Sequence, residues 1–357
     1  GVSAEEGGRA HFIALSTNAA GNQMSVFEWT GGNVSPVVSQ TSEIPGKTGM
    51  RIKRFGYATR AGGKTAFLAM ENDTGSGGYR CVLVWDGATL QNWASSDGGL
   101  PAGDGIWWSN SSQVGFDGTT LAFWAVDQTG GTGGRNGIFR SVNAGPLQKI
   151  AFTGAAAPGG GTFSGFNSPP LVHNGKILFL GQVGTSGNML LEYDGALRVL
   201  ARSGDAPQGA GAIGSIQYGF DYLADGSVLF TAGGPGDKQG IYRLNGGVLS
   251  EYLTTLNTFL GRKPRFLSLA DADGMDILIS ASFDGSRFGF YTTAKGETPA
   301  PVIMIERNPT SLILNWPGGG QLQESSNLSE WNSLQVTPPF TAPFANGAGR
   351  FYRVVEP

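Results

Sequence analysis

The side chains of this chain that could do chemistry are few and far apart. Among its 357 residues there are two histidines, His11 and His173, and one cysteine, Cys81. A zinc site or a Ser-His-Asp triad needs such groups gathered in one place. The two histidines stand in different segments with no Cys or His cluster beside them, so neither chemistry is expected. The run Asp271 to Asp276, "DADGMD", spaces Asp271, Asp273 and Asp276 as oxygen donors suited to calcium. Asp273-Gly274 also reads as a tight turn, which accounts for both residues without an ion. No other metal or cofactor is suggested. The acids outside turns are scattered: Glu28, Glu71, Glu192, Asp205, Asp221 and Glu251. Glycoside hydrolysis needs two carboxylates about 5 to 10 Å apart, and nothing in the spacing pairs any two of these. Glu28 and Glu192 fall at one repeat position where they are expected to face solvent. The glycine-rich "TGGTGG", Thr129 to Gly134, is followed by no Gly-Lys-Ser/Thr and no helix, so it is not a phosphate loop. Trp107 and Trp108, in "GDGIWWSNSS", sit between strands. Exposed, they would stack on a sugar face or anchor a protein partner; buried, they would fill the gap between neighbouring sheets.

The elements that must position these residues are read from the glycines. Gly accounts for 59 residues, charged residues for only 14%, and hydrophobic residues for 40%. That combination fits an all-β fold with many glycine turns. The net charge of -3 provides no basic face for nucleic acid. No apolar run reaches the roughly 18 residues of a membrane helix. A single cysteine rules out an internal disulfide.

Six two-residue turns recur between β-rich runs: Gly7-Gly8, Gly62-Gly63, Asp117-Gly118, Asn174-Gly175, Asp225-Gly226 and Asp273-Gly274. A period near fifty signals a repeat architecture. Asn-Gly and Asp-Gly favour type I′ turns, in which both central residues take positive φ. Each unit reads as four strands, A to D. In the fourth unit these are Ser168–His173, Lys176–Val183, Met189–Tyr193 and Leu197–Arg202. Strand B recurs as "TAFLAM", "LAFWAV", "ILFLGQ" and "VLFTAG". Longer Gly/Pro-rich connections such as "AAAPGGGT" join one unit to the next. A four-stranded meander with a longer crossing is the pattern of a propeller blade. The expected fold is a six-bladed β-propeller over residues 1–306. Trp29, Trp85 and Tyr193 share one repeat position and are expected to pack between blades. Cys81 reads as a buried apolar thiol. The first unit has only about six residues before Gly7, which leaves ring closure or strand addition by a neighbouring molecule to complete it.

After residue 306 the pattern changes to short alternating segments, "SLILNWP", "QLQESSNLSEW", "PPFTAPF" and "RFYRVV". These predict a small β-sandwich of the immunoglobulin or fibronectin kind over residues 307–357, with Trp316, Trp331, Phe351 and Tyr352 as its core.

The unit Ile150 to Gly195, with "VLARSGDAPQG" after it, resembles a tandem-repeat β-propeller family of exported bacterial proteins that has no established activity. The C-terminal segment, with Trp316-Pro317, Leu322 to Trp331 and Phe351 to Arg353, resembles a short module that ends many exported bacterial proteins. These resemblances imply a secreted or cell-surface protein, and they bring no catalytic residues; the opening at Gly1 within the first unit is expected to reflect a processed N-terminus. The expected function is a non-catalytic scaffolding or binding role, including self-association into an extracellular assembly. The second reading is a carbohydrate-binding or polysaccharide-acting propeller with glycan as its partner.

Overall fold

A computed structural model describes residues 9–18, 21–71, 79–97, 106–107, 113–127, 135–166, 168–184, 187–234, 236, 238–259, 262–283, 288–292, 304–307, 310–316, 320–326, 330–343 and 350–355. It contains no helix among these residues, and so none long and apolar enough to cross a membrane. The chain divides into two compact units, Gly1–Ala201 and Arg202–Pro357, each described by itself.

In the first unit, sheet 1 is a three-stranded meander of Arg9–Asn18, Gly21–Thr30 and Asn33–Ser39. Sheet 2 has four strands, Arg54–Ala61, Lys64–Met70, Arg80–Trp85 and Leu90–Ser95. In sheet 3 two short pieces, Ile106–Trp107 and Gly115–Phe116, share the first position beside Thr120–Asp127, Arg135–Val142 and Gln148–Phe152. Sheet 4 repeats this plan with Phe163–Phe166 and Leu171–His173 beside Lys176–Val183, Asn188–Tyr193 and Leu197–Arg202. In the second unit, sheet 5 comprises Ile216–Tyr222, Val228–Gly233, Gln239–Asn245 and Val248–Thr254, and sheet 6 comprises Phe266–Asp273, Asp276–Ser282 and Phe288–Thr292.

The structure overturns the count of six blades. Sheet formation continues beyond Thr292: Met304–Arg307 pairs with Ser311–Asn315, which pairs in turn with Phe340–Pro343. A last sheet orders Asn332–Ser333, Gln321–Ser325 and Phe351–Val355. The protein is all-β, but its propeller is seven-bladed, so six blades followed by a sandwich is not the fold. The count fell short because it rested on a glycine dipeptide in each first turn. The sequence between Met304–Arg307 and Ser311–Asn315 reads Asn-Pro-Thr and holds no glycine. Of the four residues expected to form a core there, Trp316 is buried with Leu314, Leu322 and Ala342, and Tyr352 packs against them. Phe351 is exposed, and Trp331 lies under the Arg353 guanidinium at 4.2 Å.

The core lies between successive sheets. Phe67, Phe123, Phe179 and Phe230 hold the same position in the second strands of sheets 2 to 5, and all four are fully buried. Their partners across the third strands are Leu83, Phe139, Leu191 and Tyr242. Trp85 packs against the apolar layer between sheets 1 and 2, and Tyr193 against that between sheets 3 and 4, as their shared repeat position implied.

Within each unit successive sheets meet at their first turns. In the first unit the turns themselves touch. A Cβ on Gly62 would lie 3.2 Å from the Gly118 Cα, and the Gly118 carbonyl accepts a hydrogen bond from Lys64 Nζ at 2.9 Å. The Asp117 carboxylate accepts from the Gly175 amide. In the second unit the Gly274 carbonyl accepts from the Ala224 amide at 2.7 Å. The outer strand of sheets 1, 2, 3 and 5 carries a bulge, at Val37, Trp93, Ile150 and Tyr252. A bulge re-aims the side chains around it.

The turn chemistry divides into two kinds. Gly62-Gly63 and Asn174-Gly175 both take positive φ, as a type I′ turn demands. In the turns Asp117-Gly118 and Asp225-Gly226 only the glycine is left-handed. There the Asp carboxylate caps the following amides instead, Thr119 and Thr120 for Asp117, and Ser227 for Asp225.

Candidate functional site

The Arg54–Ala61 and Lys64–Met70 hairpin of sheet 2 lies against sheet 1, and three groups meet there. His11 Nδ1 hydrogen-bonds to Thr65 Oγ1, and His11 Nε2 lies 3.2 Å from Glu28 Oε1. Hydroxyl, imidazole and carboxylate stand in the order of nucleophile, base and orienting acid. His11 is 1% exposed and Thr65 is fully buried, so no substrate carbonyl reaches the hydroxyl. What the row does is clip sheet 1 to sheet 2 through polar groups. His173, by contrast, is exposed.

Glu192 departs from expectation. It is 2% exposed rather than facing solvent, and Arg198 from the neighbouring strand donates to its carboxylate from Nε at 2.8 Å. A buried carboxylate needs such a partner.

The expected calcium ligands lie along one hairpin. Asp271 is exposed on its strand, and Asp273 and Asp276 face each other in register across the hairpin. Among the described residues no group of three His, Cys, Asp or Glu side chains stands close enough to hold a metal ion. Asp271 instead approaches Asp221. The two are register equivalents, each paired with the same second-strand position, Leu229 in sheet 5 and Leu278 in sheet 6. Asp221 accepts from the amides of Tyr222 at 2.8 Å and Ala272 at 3.1 Å. Burial pushes its carboxyl up to about 7, and the Asp271 charge adds to the shift. The scatter of acids in the sequence gave no reason to pair these two; the repeat register, counted strand by strand, would have done so.

Trp107 belongs to the short strand Ile106–Trp107, opposite Val126, rather than to a loop. Trp108 lies outside the described residues.

The first unit also holds a cleft of about 450 Å³ between three successive sheets. Pro45 and Lys47 come from the connection after sheet 1. Tyr79, Asn92, Ser95 and Asp97 come from the outer half of sheet 2, and Pro146 and Leu147 from the turn before the last strand of sheet 3. The Lys47 ammonium pairs with the Asp97 carboxylate and lies 5.1 Å from the centre of the Tyr79 ring. Ser95 Oγ donates to Asp97 at 2.8 Å. Burial raises the Asp97 carboxyl, but the hydrogen bonds from Lys47 and Ser95 outweigh it and leave the carboxyl below its ordinary value. Burial raises the Tyr79 phenol, against hydrogen bonds with Ser95 and Asn92. Asn92 Nδ2 donates to the Tyr79 hydroxyl at 2.8 Å. None of these residues stood out in the sequence, because they come from three separate segments with no shared motif.

Residues 109–286 match the model of DUF7453, a family of unknown function. The matched segment runs from sheet 3 into sheet 6 and brings no activity with it. No curated protein matches the sequence. A puromycin hydrolase is 13% identical over 86% of this chain and 50% of its own, with a TM-score of 0.45. An acylaminoacyl peptidase from Pyrococcus horikoshii is 12% identical over 87% of this chain and 49% of its own, at 0.46. The Aleuria aurantia lectin is 13% identical over 80% of this chain and 93% of its own, at 0.38. This chain thus spans about half the length of the hydrolase and the peptidase. At these identities none of their activities transfers to it.

Proposed function

We propose that the chain is a non-catalytic propeller of an exported protein, working as a binding and scaffolding module that self-associates at the cell surface or outside the cell. One observation carries the non-catalytic part: the described row with nucleophile, base and acid in order, Thr65–His11–Glu28, is sealed between sheets 1 and 2. The other acids with strong partners are engaged in holding strands and turns, as with Glu192 and Arg198, or Asp225 and Arg243. Export rests on the resemblance of the repeat unit to exported propellers.

The test has two arms. The purified chain is assayed against panels of p-nitrophenyl esters and glycosides, where turnover above background would defeat the non-catalytic reading. Light scattering across a wide concentration range then follows mass. Growth of mass with concentration supports self-association, and a constant monomer mass at every concentration removes it.

A further inference from the structure

We infer that the cleft between sheets 1, 2 and 3 is a binding site for a neutral pyranose unit of a glycan. This names a ligand for the binding role proposed above.

Charge sets the first limit. The cleft's ammonium and carboxylate, Lys47 and Asp97, neutralise each other, so neither an anion nor a cation is selected. A ligand that settles there must be neutral and must still satisfy groups of both kinds. Lys47 offers N–H donors, and Asp97 offers acceptor lone pairs beyond those used by Lys47 and Ser95. Asn92 completes the argument. Its amide nitrogen is committed to the Tyr79 hydroxyl, while its Oδ1 is buried and receives no hydrogen bond from the protein. A buried acceptor left in this state is costly unless something donates to it. A hydroxyl both donates and accepts, so neighbouring hydroxyls on one ring can donate to Asn92 Oδ1 and Asp97 and accept from Lys47.

Shape sets the second limit. Pro45, Pro146 and Leu147 give the cleft apolar walls, suited to the C–H face of a sugar ring. A volume of about 450 Å³ falls in the usual range for small-molecule sites. The alternative neutral ligand, an extended peptide, is recognised chiefly through main-chain hydrogen bonds along a sheet edge. The side-chain groups that converge on the cleft, Lys47, Asp97 and Asn92, favour the sugar.

The experiment uses the full chain and saturation-transfer difference NMR. The probes are methyl gluco-, galacto-, manno- and fucopyranosides, with inorganic phosphate and triglycine in parallel. At least one pyranoside is expected to bind, and Asn92→Ala to weaken it about tenfold, the loss of one hydrogen bond. Asp97→Asn, at an exposed position less prone to misfold, is expected to weaken the same pyranoside and to admit phosphate beside the unpaired Lys47. Circular dichroism confirms that each variant is folded. The inference fails if no pyranoside binds, if the bound one ignores a folded Asp97→Asn, or if triglycine or phosphate alone binds the wild type. Such a failure would leave the non-catalytic reading standing. Turnover of a substrate would remove that reading without touching the site.

Discussion

The Asp117 carboxylate accepts a hydrogen bond from the Gly175 amide at 2.6 Å, tying the first turn of sheet 3 to that of sheet 4. The same side chain caps its own turn through the amides of Thr119 and Thr120. Burial raises this carboxyl, but the three amides outweigh it and hold the group below its ordinary value. Its folded pKa is therefore depressed. The stability it contributes is present above the unfolded value near 4 and is lost as acid carries the pH down through the folded value. Asp117→Ala should cost about 2–3 kcal/mol at neutral pH, the range for hydrogen bonds to a charged group. Urea unfolding at pH 7 and in acid checks both halves: the gap between wild type and variant should narrow at low pH.

The glycines of these turns are needed for two different reasons, which substitution can separate. A Cβ on Gly115 would lie 2.6 Å from the Pro170 carbonyl oxygen, a backbone atom that cannot swing away. Gly115→Ala should cost about 1–3 kcal/mol through this overlap of sheets 3 and 4. Gly175 has φ +77° with nothing within 4 Å of a Cβ. Gly175→Ala should lose only the left-handed conformational preference, about 1 kcal/mol. Denaturation midpoints of the two variants check the ranking, and a costlier Gly175→Ala would contradict it.

Which parts of this structure could be read from the chain follows from what each part asks of a residue type. Positive φ demands Gly or Asn, so Gly62-Gly63 and Asn174-Gly175 announced their turns directly. A buried second strand demands large apolar residues, so Phe67, Phe123, Phe179 and Phe230 announced theirs. The seventh sheet escaped because the sequence joining its first two strands, Asn308 to Thr310, contains no glycine. The outer-strand bulge accepts Val37, Trp93, Ile150 and Tyr252 alike, so it leaves no mark on composition. Asp221 and Asp271 lie about fifty residues apart in sequence. They meet only because the repeat places them at one register.

Cys81 is fully buried within the apolar layer between sheets 1 and 2, and burial pushes its thiol well above the ordinary range. The thiolate is the reactive form, so the folded chain should leave a thiol reagent such as dithionitrobenzoate unreacted at pH 8. Modification should appear only with unfolding, and its dependence on urea should follow that of the fluorescence transition. Rapid labelling of the native chain would show that this layer is open.

Asp221 carries the opposite pH dependence to Asp117. Its folded pKa is raised to about 7 by burial and by the Asp271 carboxyl beside it, while an unfolded aspartate titrates near 4. The folded state therefore holds the proton more tightly than the unfolded state does. Its favourable contribution is complete below about pH 4 and declines as the pH rises towards 7. In the protonated form the carboxyl still accepts from the Tyr222 and Ala272 amides and donates to Asp271. Above that pH two like charges face each other across the junction of sheets 5 and 6. Asp221→Asn reproduces the protonated shape, with an N–H in place of the O–H. It should flatten the slope of stability between pH 5 and 7 and raise the urea midpoint of the Arg202–Pro357 unit at pH 7.5. If the wild type showed no decline over that interval, or if Asp221→Asn were less stable than the wild type at pH 7.5, the shared proton would not be part of how these two sheets hold together.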